Sequence, residues 1–430
     1  MFTSRAILAT SLTLLACVPA AAQYRPERPY RGIFASGIDA VGQSLVTQAS
    51  LSGGYDDDVR AGFSQSNALR SRYGGRLAQL TGSVNYLVSL PRVSLTAGAG
   101  STFRYYPTLT DDVFDTHHAR VGGVVSIFQQ PSLTAHGAIS YQPYTFYSAF
   151  PESDVLVEPA APPEADFVPV ATQYVSYTAG ADFSERLSRR TSFFGSYTYY
   201  SADRLERDFW RQGGGASLRY SLTRNLSLRL GYYYTEGHYD DTIYRNHRPE
   251  LAIEFNRALS LTRNTTVGFS AGTLTTAVHG EVQTRLHLIG NVRITHEFGR
   301  SWTLTGIYNR GVYYVETLPE PVFGDALRAT LVGLITRRVQ FRASASASFG
   351  DSGYSNARPY NIYQGTVGVS SALARFVNVG VHYSAFRYDF DDDIALGPGV
   401  PHKVDRNSIM GYITVWAPIL NRTRRADATR

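Results

Sequence analysis

The chain has 430 residues and a formal net charge of +6, from 41 Lys and Arg against 35 Asp and Glu. The excess is mild and no basic cluster is interleaved with base-stacking positions, so nucleic acid is not expected as a partner. No segment after the N-terminus approaches the ~18–20 continuous apolar residues of a membrane helix. The 30 Tyr, 22 Phe and 38 Gly suit strands and turns.

Met1 to Arg5 carries one positive charge, and residues 6–16 (AILATSLTLLA) form a short apolar run. Small residues follow up to Ala22. This three-part pattern predicts a secretory signal peptide over 1–22, cleaved between Ala22 and Gln23. Leu14-Leu-Ala-Cys17 offers a second reading, a lipoprotein box with a lipidated Cys17. Cleavage after Ala22 removes the only cysteine and with it any disulfide chemistry. Residues 23–42, rich in Pro, Arg and Gly, read as a periplasmic lead-in.

Strands then follow closely. They are expected near 43–55, 76–90, 92–106, 116–129, 132–147, 172–184, 190–202, 208–222 and 225–237. The second half continues near 248–260, 265–278, 284–298, 301–316, 325–336, 339–350, 360–373, 376–390 and 406–418. That makes about eighteen, with bounds good to roughly ±2–4 residues. The segment 209–239 sets the pattern. Leu226, Leu228, Leu230, Tyr232 and Tyr234 share one face, and Ser227, Arg229, Gly231 and Tyr233 the other. Soluble strands usually run about 5–6 residues, whereas these run about a dozen and end in aromatic clusters.

The connections alternate. Short turns such as Leu187-Ser-Arg-Arg190, Leu222-Thr-Arg-Asn225, Phe298-Gly-Arg-Ser301 and Thr336-Arg-Arg338 lie between mostly longer polar loops. Short turns at one end and long loops at the other mark an outer-membrane barrel. The expected fold is therefore all-β: a transmembrane antiparallel up-and-down β-barrel over 43–418, both termini periplasmic, with a basic tail at 419–430. A blade-like repeat shares the period of about forty residues, but its strands are shorter. Aromatic pairs at Tyr105-Tyr106, Phe146-Tyr147, Tyr199-Tyr200 and Tyr313-Tyr314, with Tyr232 to Tyr234, stand just before loops as one girdle.

About 16–18 strands enclose an aqueous channel. Alternation assigns Arg104, His136, Arg219, Arg229, Glu254, Arg293, Glu297 and Arg342 to the pore lining. The loop 148–171 carries Glu152, Asp154, Glu158, Glu164 and Asp166 and no basic residue. Either it folds inward as an acidic constriction opposite wall arginines, or it lies on the surface. Asp56-Asp-Asp58 and Asp391-Asp-Asp393 lack the glycine turn and terminal glutamate of a calcium loop, so they read as solvated loop charge. Asp115-Thr-His117-His118 reads as a strand-end histidine pair. No Ser/His/Asp spacing marks a lipase. No enzyme, metal or cofactor is expected.

Gly53-Gly-Tyr55-Asp-Asp-Asp-Val59, after a Pro/Gly-rich lead-in, resembles the opening of the putative β-barrel porin family found with exopolysaccharide export operons. Asp58 stands where that family usually has Asn. The resemblance implies an 18-stranded pore through which a polysaccharide chain leaves beside a periplasmic export protein. Other implied partners are outer-membrane lipid, lipopolysaccharide and the barrel-assembly machinery. The chain departs from many barrels at its C-terminus, where Trp416 is followed by fourteen further residues instead of ending on an aromatic. A general small-solute porin, and a structural or adhesive surface barrel, stand as alternatives.

Overall fold

The computed structural model describes residues 42–58, 74–90, 92–107, 113–126, 132–143, 173–203, 208–239, 242–258, 265–278, 285–299, 301–313, 322–352, 358–392 and 402–423. They form β1 (Gly42–Asp56), β2 (Gly75–Ser89), β3 (Val93–Tyr105), β4 (Val113–Ser126), β5 (Ser132–Pro143), β6 (Gln173–Arg186), β7 (Thr191–Asp203), β8 (Asp208–Ser221) and β9 (Leu226–Tyr239). The second half holds β10 (Thr242–Ala258), β11 (Thr265–Val278), β12 (Arg285–Phe298), β13 (Trp302–Tyr313), β14 (Val322–Leu334), β15 (Val339–Ser352), β16 (Arg358–Ala374), β17 (Val377–Phe390) and β18 (Lys403–Thr423). Every strand pairs antiparallel with the next, and β18 pairs with β1, so the sheet closes as an 18-stranded barrel. The last strand runs five residues past the expected limit of 418, to Thr423.

Side chains alternate between the two faces of a strand, so closure turns one set outward and one inward. The outward set is apolar: Leu230 is 60% exposed and its cross-strand partner Leu251 59%. Such surface on a barrel with no second layer is what lipid covers and water does not. β18 alternates without a break from Val404 to Trp416, with Arg406, Ser408, Met410, Tyr412 and Thr414 buried between exposed or half-buried neighbours.

The repeated short turns have a local cause. In Leu187-Ser-Arg-Arg190 the Ser188 hydroxyl accepts from the backbone N–H of Arg190 at 3.2 Å and of Thr191 at 3.0 Å. Thr223 does the same for Asn225 and Leu226, at 3.2 and 3.0 Å. Thr336 does so for Arg338 and Val339, at 3.2 and 3.1 Å. One hydroxyl thus satisfies two donors that no strand partner reaches. Where the motif reads Phe298-Gly299 no hydroxyl is present, and Gly299 makes the turn at φ +56°, a region only glycine enters freely. The turn after Leu261 lies outside the described residues.

Strict alternation corrects the girdle. Two adjacent aromatics cannot both face out. Tyr105 is exposed while Tyr106 is buried at 1%. Tyr199 faces out and Tyr200 in, and Tyr233 turns inward between Tyr232 and Tyr234. In these described clusters only alternate rings reach the girdle, and Phe146, Tyr147 and Tyr314 lie outside the described residues.

Candidate functional site: the inner wall

All eight residues assigned to the lining have the inward parity of their strands. Arg104 is buried and donates to Gln79 Oε1, at 3.1 Å from Nε and 3.0 Å from Nη2. His136 lies across from Gly122 and Gly180, and its ring covers Gly180. Arg293 stands between Gly268 and Ile307 in register, Glu297 opposite Thr303, and Arg342 between Val332 and Gly368. Arg293 and Glu297 share β12, and the other three stand on β3, β5 and β15.

Arg219, Arg229 and Glu254 come together. The register puts Arg219 directly across from Arg229, two like charges that repel at that distance. Glu254 of β10 answers both, with Oε2 2.8 Å from Arg219 Nε and Oε1 3.2 Å from Arg229 Nη1. Arg229 also donates to Glu250, whose side chain is only 5% exposed. The other oxygen of Glu250 lies 3.6 Å from Arg248 Nη2. Charge thus alternates along the wall in the order Arg219, Glu254, Arg229, Glu250, Arg248. Two of the expected lining arginines, Arg219 and Arg229, are thus committed to wall carboxylates.

Tyr233 closes one side of this ladder. Its hydroxyl donates to Ser217 Oγ at 3.1 Å, and the Arg248 guanidinium lies 4.4 Å above its ring. The ring lies flat on Gly215, where an added Cβ would fall 2.2 Å from Tyr233 Cδ1. Beside the ladder the wall opens into a recess of about 310 Å³. Arg219, Arg229, Glu254, Asp182 and Ser217 line it together with Phe183, Phe194 and Tyr233. Glu250, Arg248 and Tyr233 were not among the expected lining residues. Glu250 and Arg248 share the parity of Glu254, so following that face back through residues 252, 250 and 248 would have found both.

On the far side of the lumen, β17, β18 and β1 pack closed. Asp56 and Arg406 are buried to 1% and 0% and form a forked pair, with Nε 2.8 Å from each carboxylate oxygen and Nη2 2.5 Å from Oδ2. Asp57 accepts from Asn407 N at 2.7 Å and from Asn407 Nδ2 at 2.8 Å. Asp58 is also buried, at 2%. This corrects the reading of 56–58 as solvated charge: the motif is the latch of the β1–β18 seam. Tyr388 packs edge-on against Phe386 and Phe390 beside it.

His117 and His118 face opposite ways, as alternation demands, and form no pair. Glu152, Asp154, Glu158, Glu164 and Asp166 lie outside the described residues, as do Ala22 and Gln23. Among the described residues no cluster of His, Cys, Asp and Glu could hold a metal ion.

No family model matches this sequence, and no curated protein does. Among solved structures the chain is similar to OpdQ of Pseudomonas aeruginosa, with 10% identity, 88% of this chain and 98% of that one covered, and a TM-score of 0.45. OccK2 (OpdF) of the same organism, solved in complex with glucuronate, gives 9%, 88%, 98% and 0.46. The outer membrane protein OprD, also from that organism, gives 12%, 90%, 96% and 0.43. At these identities and scores the likenesses carry no argument; strand number and closure are read from the chain's own pairing.

Proposed function

We propose that the chain is an outer-membrane pore for passive diffusion of small hydrophilic solutes. The observation that carries this is the inner wall of β5 to β10. A ladder of alternating charge there lines an open recess, inside a barrel whose outer face is apolar. Paired charges keep the wall wet and offer donors and acceptors to a solute, while their near-cancellation avoids trapping an ion. Short turns at one end and long loops at the other support a periplasmic position for that end. Gly42 and Thr423 pair there, which supports periplasmic termini. Outer-membrane lipid and lipopolysaccharide are then the surroundings.

The burial of the inward side chains of β17, β18 and β1, beside an opposite wall that stays open, favours a small solute over a polymer. Export of a polysaccharide is not supported. The motif that suggested it, Gly53 to Val59, supplies Asp56 and Asp57 to the seam. The test is reconstitution. Folded protein in planar bilayers should conduct, and liposomes containing it should swell in small sugars but not in a polymeric one. Folded protein that never conducts would point to a structural or adhesive barrel.

A further inference from the structure

The outward wall carries a chain of side chains that the pore does not use. Asp115 and His117 are two residues apart on β4 and so share a face, and the register places Ser101 of β3 directly across from His117. His117 Nε2 lies 2.7 Å from Asp115 Oδ2, and Nδ1 lies 2.9 Å from Ser101 Oγ. A carboxylate only accepts, so Nε2 carries the proton, and Nδ1 is left to accept from the Ser101 hydroxyl. The face is outward, since Phe103, Val113 and Val121 of the same parity are all exposed. The His117 and Asp115 side chains themselves are 44% and 33% exposed.

Two further observations bear on access and depth. On the other side of Ser101 the register places Gly82, where an added Cβ would meet nothing within 4 Å. The positions next along the outward face are Ala99 and Ala119, which pair with each other. The serine therefore stands at the edge of a shallow notch instead of under large side chains. His117 also lies in the half of β4 nearest the long loop. Tyr141 stacks on it at 5.9 Å and 13°, and Phe103 meets it edge-on at 5.9 Å. In a membrane barrel such rings mark the headgroup level, where the ester groups of a lipid lie.

We infer that Ser101, His117 and Asp115 form an acyl-transfer site on the outer wall, acting on carboxylic esters of lipids at the membrane interface. Ser101 Oγ attacks the ester carbonyl carbon as its proton passes to His117 Nδ1. The bond to the alcohol oxygen breaks, and that oxygen leaves with the proton from Nδ1. Water then attacks the acyl-serine, gives its proton to Nδ1, and releases a carboxylic acid while Ser101 recovers its proton. Asp115 is a positioning residue that holds the ring and balances its charge in each step. The sequence hid this arrangement because Ser101 and His117 meet only through strand register.

The test uses full-length protein folded in detergent micelles and needs no conductance, so its result is independent of the pore. A fluorophosphonate should add to Ser101, located by peptide mass, and vesicles of phosphatidylethanolamine and phosphatidylglycerol should release fatty acid. Ser101→Ala should abolish both. His117→Phe should lower both by about 10²-fold or more, the contribution of a general base. Gly82→Leu, which fills the notch and leaves the three groups in place, should also block labelling. Asp115→Asn should lower kcat and leave KM unchanged. Heat-modifiable gel mobility confirms that each variant is folded. A folded wild type whose Ser101 stays unlabelled, or a His117→Phe barrel labelled as fast as wild type, overturns the inference.

Discussion

The wall of β8 to β10 and the seam of β17, β18 and β1 obey the same two-residue alternation and face the same lumen, yet they do opposite things with it. At the seam the inward side chains are buried, and a fork of Asp56 and Arg406 joins the first strand to the last. Across the lumen, Arg219, Glu254, Arg229, Glu250 and Arg248 alternate beside open space. Both contain ion pairs. What separates them is solvent: the seam pair is dry and directional, whereas Arg219 is still 42% exposed and its pair is screened. The same chemistry thus holds the barrel together on one side and keeps it passable on the other.

The contrast can be broken most sharply at the seam. Arg406→Ala strands a buried carboxylate and should cost about 3–5 kcal/mol, read as a lower urea midpoint for the folded barrel. Arg406→Met with Asp56→Leu removes both charges and should recover most of the loss. Next in size is Leu228→Arg, which turns a charge toward lipid and should cost about 2–4 kcal/mol near the midplane, seen as reduced membrane yield. Arg229→Leu, one residue on, faces the lumen and should still insert. It should nevertheless cost about 1–3 kcal/mol, because Glu250 loses a partner for a nearly buried carboxylate. Its conductance should shift toward cations, measured as reversal potential in a salt gradient. The smallest effect belongs to the turns. Thr223→Ala leaves two backbone donors to water and should cost about 0.5–1.5 kcal/mol, with pore conductance unchanged.

The barrel was legible because its rule is local. Alternation along 226–234, turn hydroxyls at Ser188, Thr223 and Thr336, and unequal loop lengths can each be read within one hairpin. Strand count and the inward parity of Arg219, Arg229 and Glu254 followed from that. What could not be read is whatever depends on register between strands. Arg219 opposite Arg229, Glu254 between them, Asp56 against Arg406 and Ser101 against His117 are all cross-strand meetings. A shift of one residue in any pairing would have sent those side chains to other faces. Burial was equally hidden: nothing in Asp56-Asp-Asp58 distinguishes a latch from a solvated acidic tip.

The fork at the seam also has a kinetic meaning. Every other strand pair joins neighbours in sequence, but Asp56 and Arg406 are 350 residues apart. Contacts of such separation carry the full entropy of loop closure and form late. Hairpins can zip one after another from local turns, whereas the fork exists only once the ring has closed. An interaction absent from the transition state slows unfolding without speeding folding. Arg406 should therefore act as a clasp on barrel lifetime: replacing it should hasten unfolding in denaturant and leave the refolding rate nearly unchanged.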